Sequence, residues 1–300
     1  MSVRFRNNVH VAGSGTSTIV FIHGFGCDQT MWRYLAPVLE ERYRVVTYDL
    51  VGCGESDLQM YDRDKYATLQ GHVDDLFDIL ESCARGPVVL VGHSVGAMIG
   101  MLATIRAPAR FAAQVMLSPS PCFINDGDYI GGFNQEDLEA LLATMEDNFL
   151  GWSRDVAPLI TGGQHHPALT NELARRFCRN DAAIMRHFAR VAFLSDYRAD
   201  LARSSVPALV LHCSDDLLVP HEVGAYLLRH LPNSTLCVVD NVGHCPHLSA
   251  PSASFMALDA FLARIRSDRQ GAPATAPACS SAIPTDRAAG RDKTRSVGQD

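Results

Sequence analysis

Five residues, Gly92-His93-Ser94-Val95-Gly96, constrain this chain more than any other stretch. They follow the apolar run Pro87 to Val91 and precede a small-residue apolar segment from Val95 to Ile105. A sharp turn between a buried strand and a helix holds a serine exposed at the strand's end, with neighbouring N–H groups aimed at an incoming oxygen. The two glycines leave space for backbone that bulkier residues would block. A Gly/Ser turn without chemistry is the plainer reading, and the strand–turn–helix context argues against it.

The surrounding pattern supplies the frame such a turn needs. Buried strands are predicted at Ser17 to His23, Arg44 to Leu50, Pro87 to Val91, Gln114 to Leu117, Ala208 to Cys213 and Thr235 to Val239. Helical spacing appears at Met31 to Tyr43, Leu69 to Ala84, Val95 to Ile105 and Ser252 to Ile265. Continuous apolar strands alternating with helices imply a mainly parallel sheet with helices on both faces. The rhythm breaks from about 119 to 201, where the pattern is helical without a convincing strand, as expected of an inserted lid. The expected folded domain is 1–267. From 268 to 300 the composition turns to Ala, Pro, Ser, Thr and Arg, too poor in apolar side chains to offset chain entropy, so disorder is expected there.

A neutral serine hydroxyl needs a base, and the base an orienter. In strand–turn–helix serine enzymes the chain order is nucleophile, acid, histidine. His244, in the loop after the strand STLCVVD, is the base candidate; Gly243 before it gives the loop backbone freedom, and His247 is its rival as an ordinary polar loop residue. The acid follows the strand ALVLHC, where Asp215 and Asp216 adjoin. The segment Asp216-Leu217-Leu218-Val219-Pro220 reads as an acid, an apolar turn and a proline opening a helix, so the triad is Ser94, Asp216 and His244, with Asp215 the alternative acid. Oxyanion N–H donors are expected from Val95, directly after the serine, and from Phe25 in the loop after the first buried strand. His23 and the loop Asp49 to Asp57 are read as structural supports. His72, His187, His221 and His230 are read as surface residues on helices, and His165 and His166 as exposed in a lid loop.

Composition narrows the partners. With 33 acidic against 26 basic residues the net charge is −7, which speaks against nucleic acid. The N-terminal residues lack the apolar core of a signal peptide, and no apolar run is long enough to span a bilayer, so a cytoplasmic protein without a membrane role is expected. Nine scattered cysteines fit reduced structural thiols. His244-Cys245-Pro246-His247 and His212-Cys213 lack the paired spacing of a zinc site, so neither a metal nor a cofactor is expected.

Several stretches together carry a resemblance: HGFGCDQTMW (23–32), YDLVGCGESD (48–57), GHSVGAMIGMLA (92–103), SPSPCFIND (118–126), GGFNQEDL (131–138) and GHCPHLS (243–249). On these the chain resembles the RsbQ-like α/β-hydrolases of bacterial stress signalling and the plant karrikin and strigolactone receptors, from about Val9 to Arg264. The resemblance implies an α/β-hydrolase fold with a four-helix lid over a deep apolar pocket. It supports the same triad and oxyanion hole. By position it implies pocket-lining roles for Phe25, Phe123, Phe133, Ala192 and Phe193, each of which could equally be core packing. Val156 stands where the plant relatives tend to have an aromatic.

The expected function is therefore a serine esterase acting on a small apolar ester or lactone, in signalling. A PAS-containing sensor protein is the partner the resemblance implies. Two alternatives stand: a metabolic esterase or enol-lactonase without a partner, and a ligand-binding receptor module with slow or vestigial hydrolysis. Dehalogenase and epoxide-hydrolase chemistry is excluded, because there the nucleophile is Asp.

Overall fold

A computed structural model describes residues 2–270. In chain order the elements are α1 Val3–Arg6, β1 His10–Ala12, β2 Thr18–Ile22, α2 Ala36–Leu39, β3 Arg44–Thr47, α3 Gln70–Cys83, β4 Val88–His93, α4 Val95–Arg106 and β5 Phe111–Leu117. There follow α5 Gln135–Asp147, α6 Phe149–Thr161, α7 Pro167–Arg179, α8 Ala182–Phe193, β6 Ala208–Asp215, α9 His221–His230, β7 Ser234–Val242, α10 Pro246–Ser249 and α11 Pro251–Gln270.

The seven strands form one sheet in the order β1-β3-β2-β4-β5-β6-β7. All neighbours are parallel except β1, which runs antiparallel to β3. Because strand side chains alternate between faces, the continuous apolar runs divide into two cores. Val20, Ile22, Val46, Leu90 and Val210 join one core with α3, α4, α9 and the helices between β5 and β6. Ile19, Phe21, Val45, Val91 and Leu211 join the other with Trp32, Leu35 and α11. A strand buried on both faces cannot alternate with polar residues, which is why β2 and β4 read as unbroken apolar runs.

Three differences from the sequence expectation have physical causes. The helix expected over Met31 to Tyr43 is broken into a 3₁₀ turn, Gln29–Trp32, and the single turn of α2. Pro37 has no N–H to continue a helix, so it fits only at the start of α2. His72, expected at the surface, is fully buried. On α3 it shares a face with Leu76, Ile79 and Cys83, and its ring packs 4.6 Å from Tyr66 and 5.0 Å from Phe188. The last helix runs on to Gln270, past Asp268, where the composition shift marks the expected boundary; the rest of that segment, 271–300, lies outside the described residues.

The insertion between β5 and β6 contains four helices, α5 to α8. They bury apolar stripes such as Phe149, Trp152, Val156 and Ile160 of α6, spaced to fall on one helical face. Among the described residues no helix is long and apolar enough to cross a membrane.

Candidate active site

Parallel strands end at one edge of the sheet, and the loops that follow them there bring the candidate residues together. Ser94 lies between β4 and α4 with φ 53° and ψ −122°, a conformation that side-chain-bearing residues avoid and that marks a stored constraint. The turn is held by the Ser94 N–H donating to the Leu117 carbonyl at 2.9 Å, and by the Ala97 N–H donating to the Ser94 carbonyl at 2.9 Å. A Cβ on Gly96 would lie 2.3 Å from the Ile22 carbonyl oxygen of β2. Only glycine lets α4 start so close to the neighbouring strand. Val95 is the first residue of α4, so its N–H belongs to the set that a helix leaves without an internal acceptor.

His244 is fixed from three sides. Its Nδ1 donates to Oδ2 of Asp216 at 2.7 Å. Its backbone N–H donates to the Ile160 carbonyl at the end of α6 at 2.6 Å, and its own carbonyl accepts from Nε2 of His93 at 2.8 Å. A carboxylate accepts only, so the bond to Asp216 places the ring proton on Nδ1 and leaves the Nε2 lone pair. That Nε2 is buried and has no hydrogen-bond partner in the protein.

The two adjacent acids are separated by the shape of β6. A register shift against β7 falls between Cys213 and Asp215. Asp215 ends the strand with its side chain exposed and its carbonyl accepting the Gly243 N–H. Asp216 turns inward, and its Oδ1 accepts from the N–H groups of Leu218 at 2.9 Å and Val219 at 3.2 Å. Burial pushes the Asp216 carboxyl upward, but His244 beside it and these N–H bonds hold it below the usual carboxylate range. The geometry therefore favours Asp216 over Asp215.

Phe25 sits in the loop after β2. His23 shapes that loop: its Nδ1 donates to the Gly24 carbonyl at 2.8 Å, and its Nε2 accepts the Leu50 N–H at 2.9 Å. Asp49 ties down the neighbouring loop, accepting from the Gln29 and Glu55 N–H groups. The ring of Phe25 is surrounded by Trp152, Phe177, Phe188 and Phe193, with centroids 5.4 to 6.3 Å away. Phe123 packs on Phe193 at 5.1 Å. Ala192 and Phe193 are buried on α8, and Phe133 is half-buried, its N–H donating to the Phe123 carbonyl.

Sequence reasoning did not find Trp152, Phe177 and Phe188. Their signal was the apolar stripe of each insertion helix, which shows that a face is buried but not what it meets. His247, read as a polar loop residue, is fully buried, its ring 4.7 Å from Trp32 and 4.5 Å from His93. Both of its nitrogens lack partners, and burial drives its pKa well below the ordinary value. Burial also pushes the nearby thiols of Cys27 and Cys213 up to about 12, which makes them poor nucleophiles at neutral pH. Among the described residues no group of three His, Cys, Asp or Glu gathers as a metal site would.

Comparison with known proteins agrees with the fold. Residues 19–258 match the model of the alpha/beta hydrolase family. The strigolactone esterase RMS3 of Pisum sativum is 40% identical over 247 residues, covering 82% of this chain and 92% of that protein. The karrikin insensitive 2 receptor CA of Petunia hybrida is 39% identical over 246 residues, covering 82% and 91%. Among solved structures, a hydrolase from Oleispira antarctica superposes with a TM-score of 0.85 at 38% identity, covering 87% of this chain and 96% of that one.

Proposed function

The chain belongs to the alpha/beta hydrolase family, and we propose that it is a serine hydrolase of small, uncharged, apolar esters or lactones that serves in signalling. The observation that carries the chemistry is His244, whose Nδ1 is held by Asp216 at 2.7 Å while its Nε2 is buried and without a partner. In this reading Ser94 Oγ attacks the substrate carbonyl as His244 Nε2 takes its proton. The N–H groups of Phe25 and Val95 receive the negative charge that develops on the carbonyl oxygen, each contributing about 3–4 kcal/mol. Collapse breaks the acyl–oxygen bond, and the leaving alkoxide takes the proton from His244. Water then attacks the acyl-enzyme with His244 as base, releasing the acid and restoring Ser94. With a lactone the two products stay in one molecule, a hydroxy acid. Asp216 keeps the imidazole in the useful tautomer and stabilises its charged form.

The rings around Phe25 support an apolar substrate. The pocket residues proposed here, Phe25, Phe123, Phe133, Ala192 and Phe193, with Trp152 and Phe188 beside them, offer no cation to clamp a free carboxylate or phosphate. Relatives named as receptors and as strigolactone esterases support a signalling task. A sensor protein with a PAS module is the proposed partner, with the exposed acidic start of α5, Glu136 and Asp137, as its docking face.

The test compares methyl acetate-type neutral esters and lactones with carboxylate-bearing analogues, and follows binding of the candidate partner to wild type and Glu136→Arg. Neutral substrates should be preferred by at least about tenfold, one unit of 1.4 kcal/mol, and partner binding should weaken in the variant. Preference for the charged analogues would overturn the pocket reading. Rapid turnover of a common metabolite, above about 10⁵ M⁻¹s⁻¹ in kcat/KM, with no partner bound, would favour a metabolic esterase.

A further inference from the structure

The loop that carries Phe25 is pinned from two directions. On the sheet side, His23 donates to the Gly24 carbonyl and the Cys27 N–H closes back on the same oxygen. On the other side the pin comes from the insertion. Asn180, which caps α7, donates through Nδ2 to the Gly26 carbonyl at 2.9 Å and to the Arg176 carbonyl at 3.2 Å. Both amide protons are thereby directed, so the side chain has one orientation. Gly26 has φ +66°, and a Cβ there would lie 2.3 Å from the Phe177 ring of the same helix. The Gly26–Cys27 peptide thus sits against α7: Asn180 holds its carbonyl, and its N–H closes on the Gly24 carbonyl, which shares a peptide plane with the Phe25 N–H.

We propose that Asn180 is a positioning residue for acyl transfer: from the insertion, it holds the Gly26 carbonyl so that the Phe25 N–H points where the oxyanion forms. The proposal rests on the serine-hydrolase reading above. An oxyanion donor works only if it is fixed before the charge appears. With the Gly26 carbonyl released, the Gly26–Cys27 peptide can rotate, its N–H leaves the Gly24 carbonyl, and the peptide that carries the Phe25 N–H keeps only its tie to His23, so the aim of the Phe25 N–H loosens. Docking of α7 on the core then becomes a condition for a complete oxyanion hole, not only a cover for the substrate. Among the described residues α7 also meets the core through the buried side chains of Leu173 and Phe177 and through ion pairs, Arg176 with Asp28 and Glu172 with Arg33, and these ion pairs do not touch the loop backbone at Gly26.

Three variants separate aim from docking. Asn180→Asp keeps shape but replaces the donor with an acceptor, Asn180→Ala removes the group, and Glu172→Gln weakens the ion pairs of the same helix. On p-nitrophenyl acetate both Asn180 variants should lose about tenfold in kcat with KM within about twofold, the scale of a misaimed donor. Affinity for a trifluoromethyl ketone, whose serine hemiketal carries an oxyanion, should fall by the same factor, while the non-reactive methyl ketone binds unchanged. Glu172→Gln should keep kcat within about twofold. Amide hydrogen exchange at 24–27 should rise in Asn180→Ala, a readout that needs no turnover. Wild-type kcat in Asn180→Asp, or unchanged exchange at 24–27, would overturn the proposal. An equal loss of kcat in Glu172→Gln would overturn it too, because general loosening of the helix would then explain the effect. Failure of wild type to label at Ser94 would instead overturn the hydrolase reading, and the exchange measurement would still decide whether Asn180 pins the loop.

Discussion

In the first turn of α4, just beyond β4, Gly96 stands so close to β2 that a Cβ would lie 2.3 Å from the Ile22 carbonyl oxygen. The helices of the insertion reach the same site mainly through side chains: the rings of Trp152, Phe177, Phe188 and Phe193 around Phe25, and the amide of Asn180 on Gly26. Among the described residues their backbone also meets the histidine loop: the Ile160 carbonyl accepts the His244 N–H, and a Cβ on Gly243 would lie 2.6 Å from the Thr161 carbonyl carbon. Close-packed backbone leaves no freedom, so the sheet edge can fix reacting atoms to a fraction of an ångström. Aromatic side chains on helices can be exchanged for others of similar size without moving that edge. In the proposed function, chemistry belongs to the sheet and selectivity to the insertion, with the Phe25 loop shared by both.

The sharpest break of this division would come from the acid. Asp216→Asn should lower kcat by about 10⁴, because the amide favours the wrong histidine tautomer. The exposed neighbour, Asp215→Asn, should stay within about threefold of wild type. The reverse ranking, read from steady-state rates on one activated ester, would mean that the bulge in β6 does not sort the two carboxylates as described.

A second test probes how rigidly the sheet side is buried. Burial pulls His72 and His93 down to about 3 and His247 well below its ordinary value. In the unfolded chain each takes a proton near about 6.5. The folded state resists that proton, so stability is complete above about 6.5 and is lost as pH falls from there toward 3, by up to about 1.4 kcal/mol per pH unit for each histidine. Denaturant unfolding at pH 7.5, 6 and 5 should show this slope, and His247→Phe should flatten it by one histidine's share. An unchanged slope would show that His247 takes up its proton in the folded protein.

The insertion should respond differently. Trp152→Ala should change the ratio of kcat/KM between short and long acyl esters by about tenfold, the scale of a few buried methylenes, while kcat on acetate esters stays within about threefold. A large fall in kcat on acetate, with selectivity unchanged, would move Trp152 from selectivity to the reacting centre.

The same contrast explains what could be read in advance. The sheet was legible because a strand buried on both faces must be apolar throughout, and the serine turn because its glycines and flanking elements are local. The three-residue strand β1 pairs along one side only and leaves too short a pattern to recognise. His72 reads as polar in sequence, and only the packing of α3 on Tyr66 and Phe188 reveals it as core. The turn and proline after Asp216 favour it over Asp215 in the sequence, but the orientation of two adjacent carboxylates appears only at the register shift in β6, with Asp215 outward and Asp216 on His244. Asn180 carries no motif at all; its partner, Gly26, is brought to it by the docking of α7.

In the proposed mechanism Ser94 is the nucleophile that this sheet edge holds in place. Wild type and Ser94→Ala should be treated with a fluorophosphonate, and the modified peptide identified by mass spectrometry alongside esterase rates. One label is expected, on the peptide containing Ser94, with the variant folded, unlabelled and without esterase activity. A label on another residue, or full activity in Ser94→Ala, would contradict this mechanism.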